Sequence, residues 1–217
     1  MSSHKPENIR VEDYLTTIYR LEEALDEARI TDISRELKVS PATVSKIIGK
    51  LEERNLVIRV KYRGVKLTEK GRSLAERIIR KHRIAEVFLL KILGFDEVES
   101  HQYAHYLEHL PDIIVERMYE SVGKPPLCPH GNKIPGTTST MPKLIKLTET
   151  QPHQVCIVKR IAGEFADVLE YVHGIGIKVG ASISVLKHTD ERIIVKLQNN
   201  SESEIPFYIA RFIYVEC

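Results

Sequence analysis

The chain has 217 residues, of which 42% are hydrophobic and 29% charged, room for one large domain or two to three small ones, each with its own core. No apolar run reaches the roughly 20 residues a membrane span needs, and the opening MSSHKPENIR lacks the apolar stretch of a secretory signal, so a folded cytoplasmic protein without membrane contact is expected. Three scattered cysteines, Cys128, Cys156 and Cys217, are too few for a disulfide framework, and reduced thiols are the expectation.

The net charge of +2 conceals an uneven distribution. Residues 1–80 carry 17 Lys+Arg against 13 Asp+Glu, residues 81–136 carry 6 against 8, and residues 137–217 carry 9 against 9. The excess is sharpest from Arg29 to Lys66, with 10 basic and 4 acidic residues, which suits a polyanionic partner.

In chain order, Val11, Tyr14, Leu15, Ile18 and Leu25 recur at helical spacing and predict a first helix from Val11 to about Leu25, with Asp13 off the apolar stripe. A second helix is expected from Thr31, as its N-cap, to Leu37. A third begins at Pro41, a residue favoured in the first turn, and runs to Arg54. On this third helix Val44, Ile47, Ile48 and Leu51 face inward, leaving Ala42, Thr43, Lys46 and Lys50 outward. Leu56–Val60 and Val65–Leu67, joined by Arg63-Gly64, read as a hairpin.

Helix, short helix, turn, helix and basic hairpin is the order of a winged helix-turn-helix. The candidate DNA-contacting set is Thr31, Ser40, Pro41, Ala42, Thr43, Ser45, Lys46, Lys50 and Arg63, with Lys61 also on the hairpin. Short polar and cationic groups of this kind suit base edges and phosphates.

Thr68 caps a long helix expected to reach about Leu93, and Asp96–His109 and Pro111–Ser121 predict two more, giving an apolar helical layer suited to dimerisation. Residues 123–150 read as a loop and tether. Val155–Val158, Ala181–Leu186, Ile193–Leu197 and Phe207–Val215 read as strands, with a short helix near Asp167–Val172. Together they predict a small β-barrel, mobile on its tether. The domain boundaries expected are 1–74, 75–140 and 151–217.

Five of nine histidines (His82, His101, His105, His109 and His130) fall between residues 82 and 130. On the Asp96–His109 helix, His101, His105, Glu108 and His109 share one face, opposite an apolar stripe of Tyr103, Tyr106, Leu107 and Leu110. His82 and Glu86 share another face at i, i+4. Imidazole and carboxylate at such spacing converge on a point near the helix, as a divalent transition metal requires. Cys128-Pro129-His130 offers a possible further pair of ligands.

The whole chain resembles the diphtheria toxin repressor family of metal-dependent transcriptional repressors. The residues that carry the resemblance are Glu12-Asp13-Tyr14-Leu15, Val39-Ser40-Pro41-Ala42-Thr43-Val44-Ser45 and Leu67-Thr68-Glu69-Lys70-Gly71. It continues in Arg80-Lys81-His82-Arg83, Leu107-Glu108-His109, Cys128-Pro129-His130-Gly131-Asn132 and Ile134-Pro135. The resemblance implies a mostly α N-terminal two-thirds, comprising a winged helix-turn-helix and a helical metal-binding dimerisation domain, followed by an SH3-like (FeoA-like) barrel.

It further implies a homodimer on double-stranded operator DNA and two sites per subunit for Fe2+ or Mn2+. The primary site would use Asp13, His105, Glu108 and His109. The second would use His82, Glu86, His101, Glu164 and Asp167, with Cys128 and His130 replacing part of that set in some branches. His105 departs from the cysteine or glutamate usual in the family. Asp13 points to the manganese-responsive branch and the imidazole at 105 toward Fe2+. Two other readings stand beside the repressor: a metallohydrolase using the His/Glu face, and a winged-helix regulator sensing an organic ligand.

Overall fold

The Thr43 amide donates to Ser40 Oγ at 3.1 Å, and Pro41 fills the first helical position, so the turn before the third helix is fixed by its own sequence. The computed structural model describes residues 11–61, 63–138 and 142–217. The N-terminal MSSHKPENIR and part of the expected tether, residues 139–141, lie outside the described residues. Two compact units emerge, residues 1–79 and 80–217.

In the first unit, α1 (Val11–Leu25), α2 (Ile30–Glu36) and α3 (Pro41–Glu53) precede a hairpin of β1 (Val57–Val60) and β2 (Gly64–Leu67). Leu15, Ile18, Leu21, Ile33, Val44, Ile48, Leu51 and Val65 form its buried centre, as the 3.6-residue periodicity of each helix requires. The hairpin is stapled at its turn: Val65 N donates to Ala28 O at 2.9 Å, and Gly64 sits at φ +92°, where a Cβ would meet Ala28 O at 2.2 Å. Glu22 accepts from Leu67 N at 2.8 Å and pairs with Arg72. Thr31 is not the N-cap of α2. That place falls to Arg29, which makes no side-chain cap hydrogen bond, and Thr31 lies inside the first turn.

Thr68 Oγ1 accepts from Gly71 N at 3.1 Å and opens α4 (Glu69–Leu93), within which the unit boundary falls. The second unit continues through α5 (Glu97–Leu107) and α6 (Asp112–Ser121). Asp96 and Glu99 close a reciprocal capping box on α5. Ile84, Val87, Leu89, Ala104, Val115, Met118, Tyr119 and Ile134 form the core here.

The C-terminal part is an SH3-like β domain built on a six-stranded antiparallel sheet in the order β3-β8-β4-β5-β6-β7. The strands are β3 (Ile145–Lys146), β4 (Val155–Ile161), β5 (Ser182–His188), β6 (Arg192–Leu197), β7 (Glu202–Pro206) and β8 (Ile213–Glu216), with α7 (Ala166–Gly174) after β4 and one helical turn, α8 (Phe207–Ala210), before β8. The expected strand over Phe207–Val215 is therefore split. Pro206 ends β7 and its residue successors coil, so only the last residues extend. The polar run Glu202–Pro206 is a strand that its composition hides, at the sheet edge where one face meets water.

The β domain clusters with the helical layer as one unit. One further expectation gives way. Cys156 and Cys217 are disulfide-bonded rather than reduced, because β4 and β8 are antiparallel neighbours and the pairing of Ile157 with Glu216 brings the residue before the one opposite the residue after the other. Cys128 is free and buried.

Candidate metal centre

Three chain segments of the second unit converge on one buried region. The first is α4, where His82, Arg83 and Glu86 are all wholly buried. His82 Nε2 and Glu86 Oε1 lie 3.2 Å apart, the i, i+4 pair that the spacing predicts. The second is α5 with its C-cap: His101 is buried in the helix, Glu108 is the cap residue and His109 follows it. The third pairs the Cys128–Asn132 turn with the end of β4. Gly131 at φ +78° packs so tightly that a Cβ would meet Lys159 O at 2.2 Å. His130 O accepts from Ile161 N at 2.9 Å, and Asn132 donates to Ile161 O at 2.8 Å while accepting from Arg160. This pins the loop to the strand end just before Glu164, whose φ of +50° turns its side chain inward.

The side chains form two clusters, within each of which the candidate ligand atoms all lie within 4.8 Å of one another: His82, His101 and His105, and Glu86, Cys128, His130 and Glu164. The second is wholly buried. A hydrogen-bond line joins them. Glu108 Oε2 lies 2.8 Å from His82 Nδ1, His82 Nε2 lies 3.1 Å from His101 Nδ1, and His101 Nδ1 lies 2.9 Å from Glu86 Oε1. Glu108 also reaches His105 Nδ1 at 3.3 Å and His109 Nε2 at 3.7 Å. Cys128 Sγ donates to Glu164 Oε1 at 3.1 Å, and Arg83 holds the same carboxylate through Nε at 2.8 Å and Nη2 at 3.3 Å.

Electrostatics follow from this packing. Burial pushes the Glu86 carboxyl up, but His130, His82 and His101 outweigh it and hold the group well below the usual carboxylate range. Burial works in the same sense on Glu108, where hydrogen bonds from His105 and His82 prevail and the carboxyl is again strongly depressed. Burial and the Glu164 and Glu86 charges raise the Cys128 thiol well above its ordinary value. Burial alone would lower His130, but the Glu86 carboxylate reverses this and raises it.

The residues fit a divalent metal. Glu86 Oε2 and His130 Nε2 have no hydrogen-bond partner although neither touches solvent, and buried polar atoms without partners are rare unless a ligand or ion satisfies them. Carboxylate, imidazole and thiol at this separation form a mixed donor set for a first-row transition metal.

The expected ligands are thus regrouped. Glu86 and Glu164 join Cys128 and His130, whereas His82 and His101 group with His105. Asp167 is not brought to either cluster: it is exposed in the first turn of α7, with its carboxylate accepting from Val168 N at 2.9 Å. Each predicted face of α5 is split: His101, Ala104 and Glu108 are buried while His105 and His109 are exposed, and Leu107 and Leu110 pack against the core while Tyr103 and Tyr106 are 45% and 70% exposed. Sequence reasoning missed Arg83 and Asn132 as organisers of the site. Both lie inside quoted motifs, but nothing in their spacing marks them as buried. Asp13 belongs to the first unit, on α1.

In the first unit Ser40, Pro41, Ala42, Thr43, Lys46 and Lys50 are exposed along α3 and its cap, Ser45 is half-buried, Thr31 is exposed on α2, and Arg63 and Lys61 are exposed on the hairpin. Arg59 ties the hairpin to α3 by donating to Ser45 O at 2.9 Å and Glu52 Oε2 at 3.2 Å.

An exposed cationic helix-turn-helix and a buried set of nitrogen, oxygen and sulfur donors define a metal-responsive DNA-binding protein. Residues 9–65 match the N-terminal DNA-binding domain of the iron-dependent repressors, residues 68–136 their metal-binding and dimerisation domain, and residues 145–217 the FeoA domain. The chain belongs to the iron-dependent repressor family, whose members are transcriptional regulators and not enzymes.

The iron-dependent repressor IdeR of Mycobacterium leprae (strain TN) is 30% identical over 220 residues, spanning 94% of this chain and 96% of that protein. Among solved structures, T. acidophilum IdeR superposes with a TM-score of 0.81 at 29% identity, covering 96% of this chain and 98% of that one. The manganese regulator SloR does so with a TM-score of 0.79 at 31% identity, covering 94% and 97%. The metallohydrolase and organic-ligand readings find no support in this family. No helix among the described residues is long and apolar enough to cross a membrane.

Proposed function

We propose that the protein is a cytoplasmic, homodimeric repressor of metal-homeostasis genes whose binding to double-stranded operator DNA is activated by Fe2+ or Mn2+ at two sites per subunit. The observation that carries this reading is the pair of donor clusters joined through His82, His101 and Glu86, with unpartnered buried atoms at Glu86 and His130. A bound divalent cation supplies the charge that lets carboxylates and imidazoles from separate segments share one point.

We assign His105, Glu108 and His109 to the site that controls DNA binding, with Asp13 of α1 as the ligand from the DNA-binding unit. The approach of Glu108 to both histidines supports this set. Glu86, Cys128, His130 and Glu164 form the second site, with His82 and His101 between the two. Relatives bearing the names of iron and of manganese regulators support both ions as candidates. Asp13 and the carboxylates favour Mn2+, while the thiol and imidazoles favour Fe2+.

Exposed Ile92, Leu93, Tyr103, Tyr106, Ile113 and Ile114 lie in the segment that matches the dimerisation domain, and we assign them to the homodimer contact. Ser40, Thr43, Lys46 and Lys50 would meet base edges and phosphates, and Arg63 a phosphate.

The test is binding to a genomic fragment library with chelator, Mn2+, Fe2+ or Zn2+. Selective enrichment of a few fragments with Mn2+ or Fe2+ and none in chelator is expected. Equal binding in chelator and in metal refutes the reading.

A further inference from the structure

Among the described residues the largest wholly buried side chain is a charged one, Arg83. Burying a guanidinium is costly unless it is paired and its donors are satisfied. Its partners are not incidental. Nε and Nη2 fork onto the two oxygens of Glu164, itself wholly buried, and Nη1 donates to the carbonyl of Lys133. Lys133 ends the turn that carries Cys128 and His130, and Arg83 itself sits one helical turn before Glu86 on α4. One side chain therefore touches or adjoins every segment that contributes to the Glu86, Cys128, His130 and Glu164 cluster.

Resting on the second-site reading above, we propose that Arg83 is the positioning residue of the buried cluster and sets its preference for a dication: its fork holds Glu164 and the Cys128–Lys133 turn in place, and its charge completes the site's electrical balance. Two carboxylates, a thiolate, a guanidinium and a divalent cation sum to zero, with His130 neutral. In a wholly buried region a monovalent or trivalent ion leaves an unbalanced charge, which the surroundings cannot solvate. The planar fork matters as well as the charge. A carboxylate gripped at both oxygens keeps one orientation, and an ammonium in its place leaves it free to rotate.

The test uses the full-length protein titrated with Co2+, reading the sulfur-to-cobalt charge-transfer band together with calorimetry. In the wild type the band should appear and should be absent from Cys128→Ser. Arg83→Lys keeps the charge and should weaken the band-forming event by about 10-fold or more, the usual effect of removing a group that orients a metal ligand. The band itself should shift, while the band-silent event at His105, Glu108 and His109 stays within about 3-fold, since Arg83 grips Glu164 and the turn of the other cluster.

Arg83→Met leaves Glu164 buried and unpaired, and its melting is checked by circular dichroism. Should it unfold, Arg83→Met/Glu164→Gln removes both charges and carries the test, again with a weakened and shifted band expected. Wild-type Co2+ affinity and band position in the folded Arg83 variants overturn the positioning role. A band missing from the wild type overturns the cluster, and the proposal with it.

Discussion

His82 Nδ1 lies 2.8 Å from Glu108 Oε2, so a buried imidazole joins the middle of α4 to the C-cap of α5. The same carboxylate approaches His105 and His109. Glu108 therefore serves three imidazoles at once, and its substitution should cost more than any one of them. Glu108→Gln keeps the shape, removes the charge and turns one acceptor into a donor. Operator binding in Mn2+ or Fe2+ should fall to the level seen in chelator, a loss of about 1 to 3 kcal/mol, the usual range of allosteric coupling. Fluorescence anisotropy with labelled operator reads this directly. A Gln variant with a full metal response would remove Glu108 from the controlling site.

The titrating groups of the buried cluster, together with Glu108, predict how the metal-free protein responds to pH. Glu86 and Glu108 are depressed below their ordinary value of 4.5, so their stabilisation is complete above that value and is lost as pH falls through their folded values. His130 is raised above its ordinary 6.5, so its contribution is complete below 6.5 and is lost as pH rises through the folded value. In chelator, thermal stability should be greatest between these two values and decline on either side. His130→Gln should remove the decline that sets in above 6.5 and leave both the acid one and the separate loss from the raised Cys128 thiol above its ordinary 9.0. A melting temperature that keeps rising through neutral pH in chelator would contradict the His130 assignment.

Lys46 and Lys50 are exposed on α3, opposite buried Val44, Ile48 and Leu51. Alanine at either should weaken operator binding without changing metal affinity in the absence of DNA. Arg63→Ala on the hairpin turn should act as the loss of one phosphate contact, lowering affinity about equally across sequences and flattening the salt dependence by about one unit of slope. Salt titrations on the operator and on an unrelated duplex distinguish the two effects, and a sequence-selective loss at Arg63 would assign it to a base.

In the first unit α3 was legible because it buries one stripe at helical spacing and because Ser40-Pro41 is a local start signal, as Thr68 is for α4, whereas α1 buries every residue from Tyr14 to Leu21 and not only the predicted stripe. The β domain was legible only where strands are apolar. Glu202–Pro206 is a strand with one buried residue, Ile205, and Phe207–Ala210 is apolar but coils after Pro206. The histidines announced a metal, but their grouping depends on contacts between residues far apart in sequence. Glu164 and Asp167 are only three residues apart, yet the turn at Gly163 (φ +81°) and Glu164 sends one inward while α7 starts with the other in solvent. Tyr103 and Tyr106 count as apolar in a periodicity and still face outward. Arg83 reads as one more surface cation until its partners, Lys133 and Glu164, are brought to it by the fold.

In the proposed second site Cys128 is the soft donor among harder oxygens, and Cys128→Ser should change metal preference more than affinity for any one hard ion. Binding of Zn2+ and Cd2+ at that site should drop by about 10-fold or more, while Mn2+ changes little, because thiolate contributes most to softer ions. Competition titrations against a chromophoric chelator measure both. An equal loss for Mn2+ and Cd2+ would show that Cys128 acts on the fold of its turn and not as a ligand.

The disulfide between Cys156 and Cys217 closes a separation of 61 residues. It joins two neighbouring strands of the sheet, with Cys156 buried and Cys217 exposed at the end of the chain. Cross-linking a loop of that length removes chain entropy from the unfolded state worth up to about 4 kcal/mol in the loop-closure account. The native pairing of β4 with β8 does not itself require the bond, since Val158, Arg160 and Ile161 already pair with Val215, Tyr214 and Ile213. Reduction should therefore lower the stability of the β domain without abolishing its fold. Denaturant unfolding of the oxidised protein, of the protein in dithiothreitol and of Cys217→Ser should give a higher midpoint for the first and matching lower midpoints for the other two. Equal midpoints in all three would show that the bond contributes nothing to the stability of the sheet.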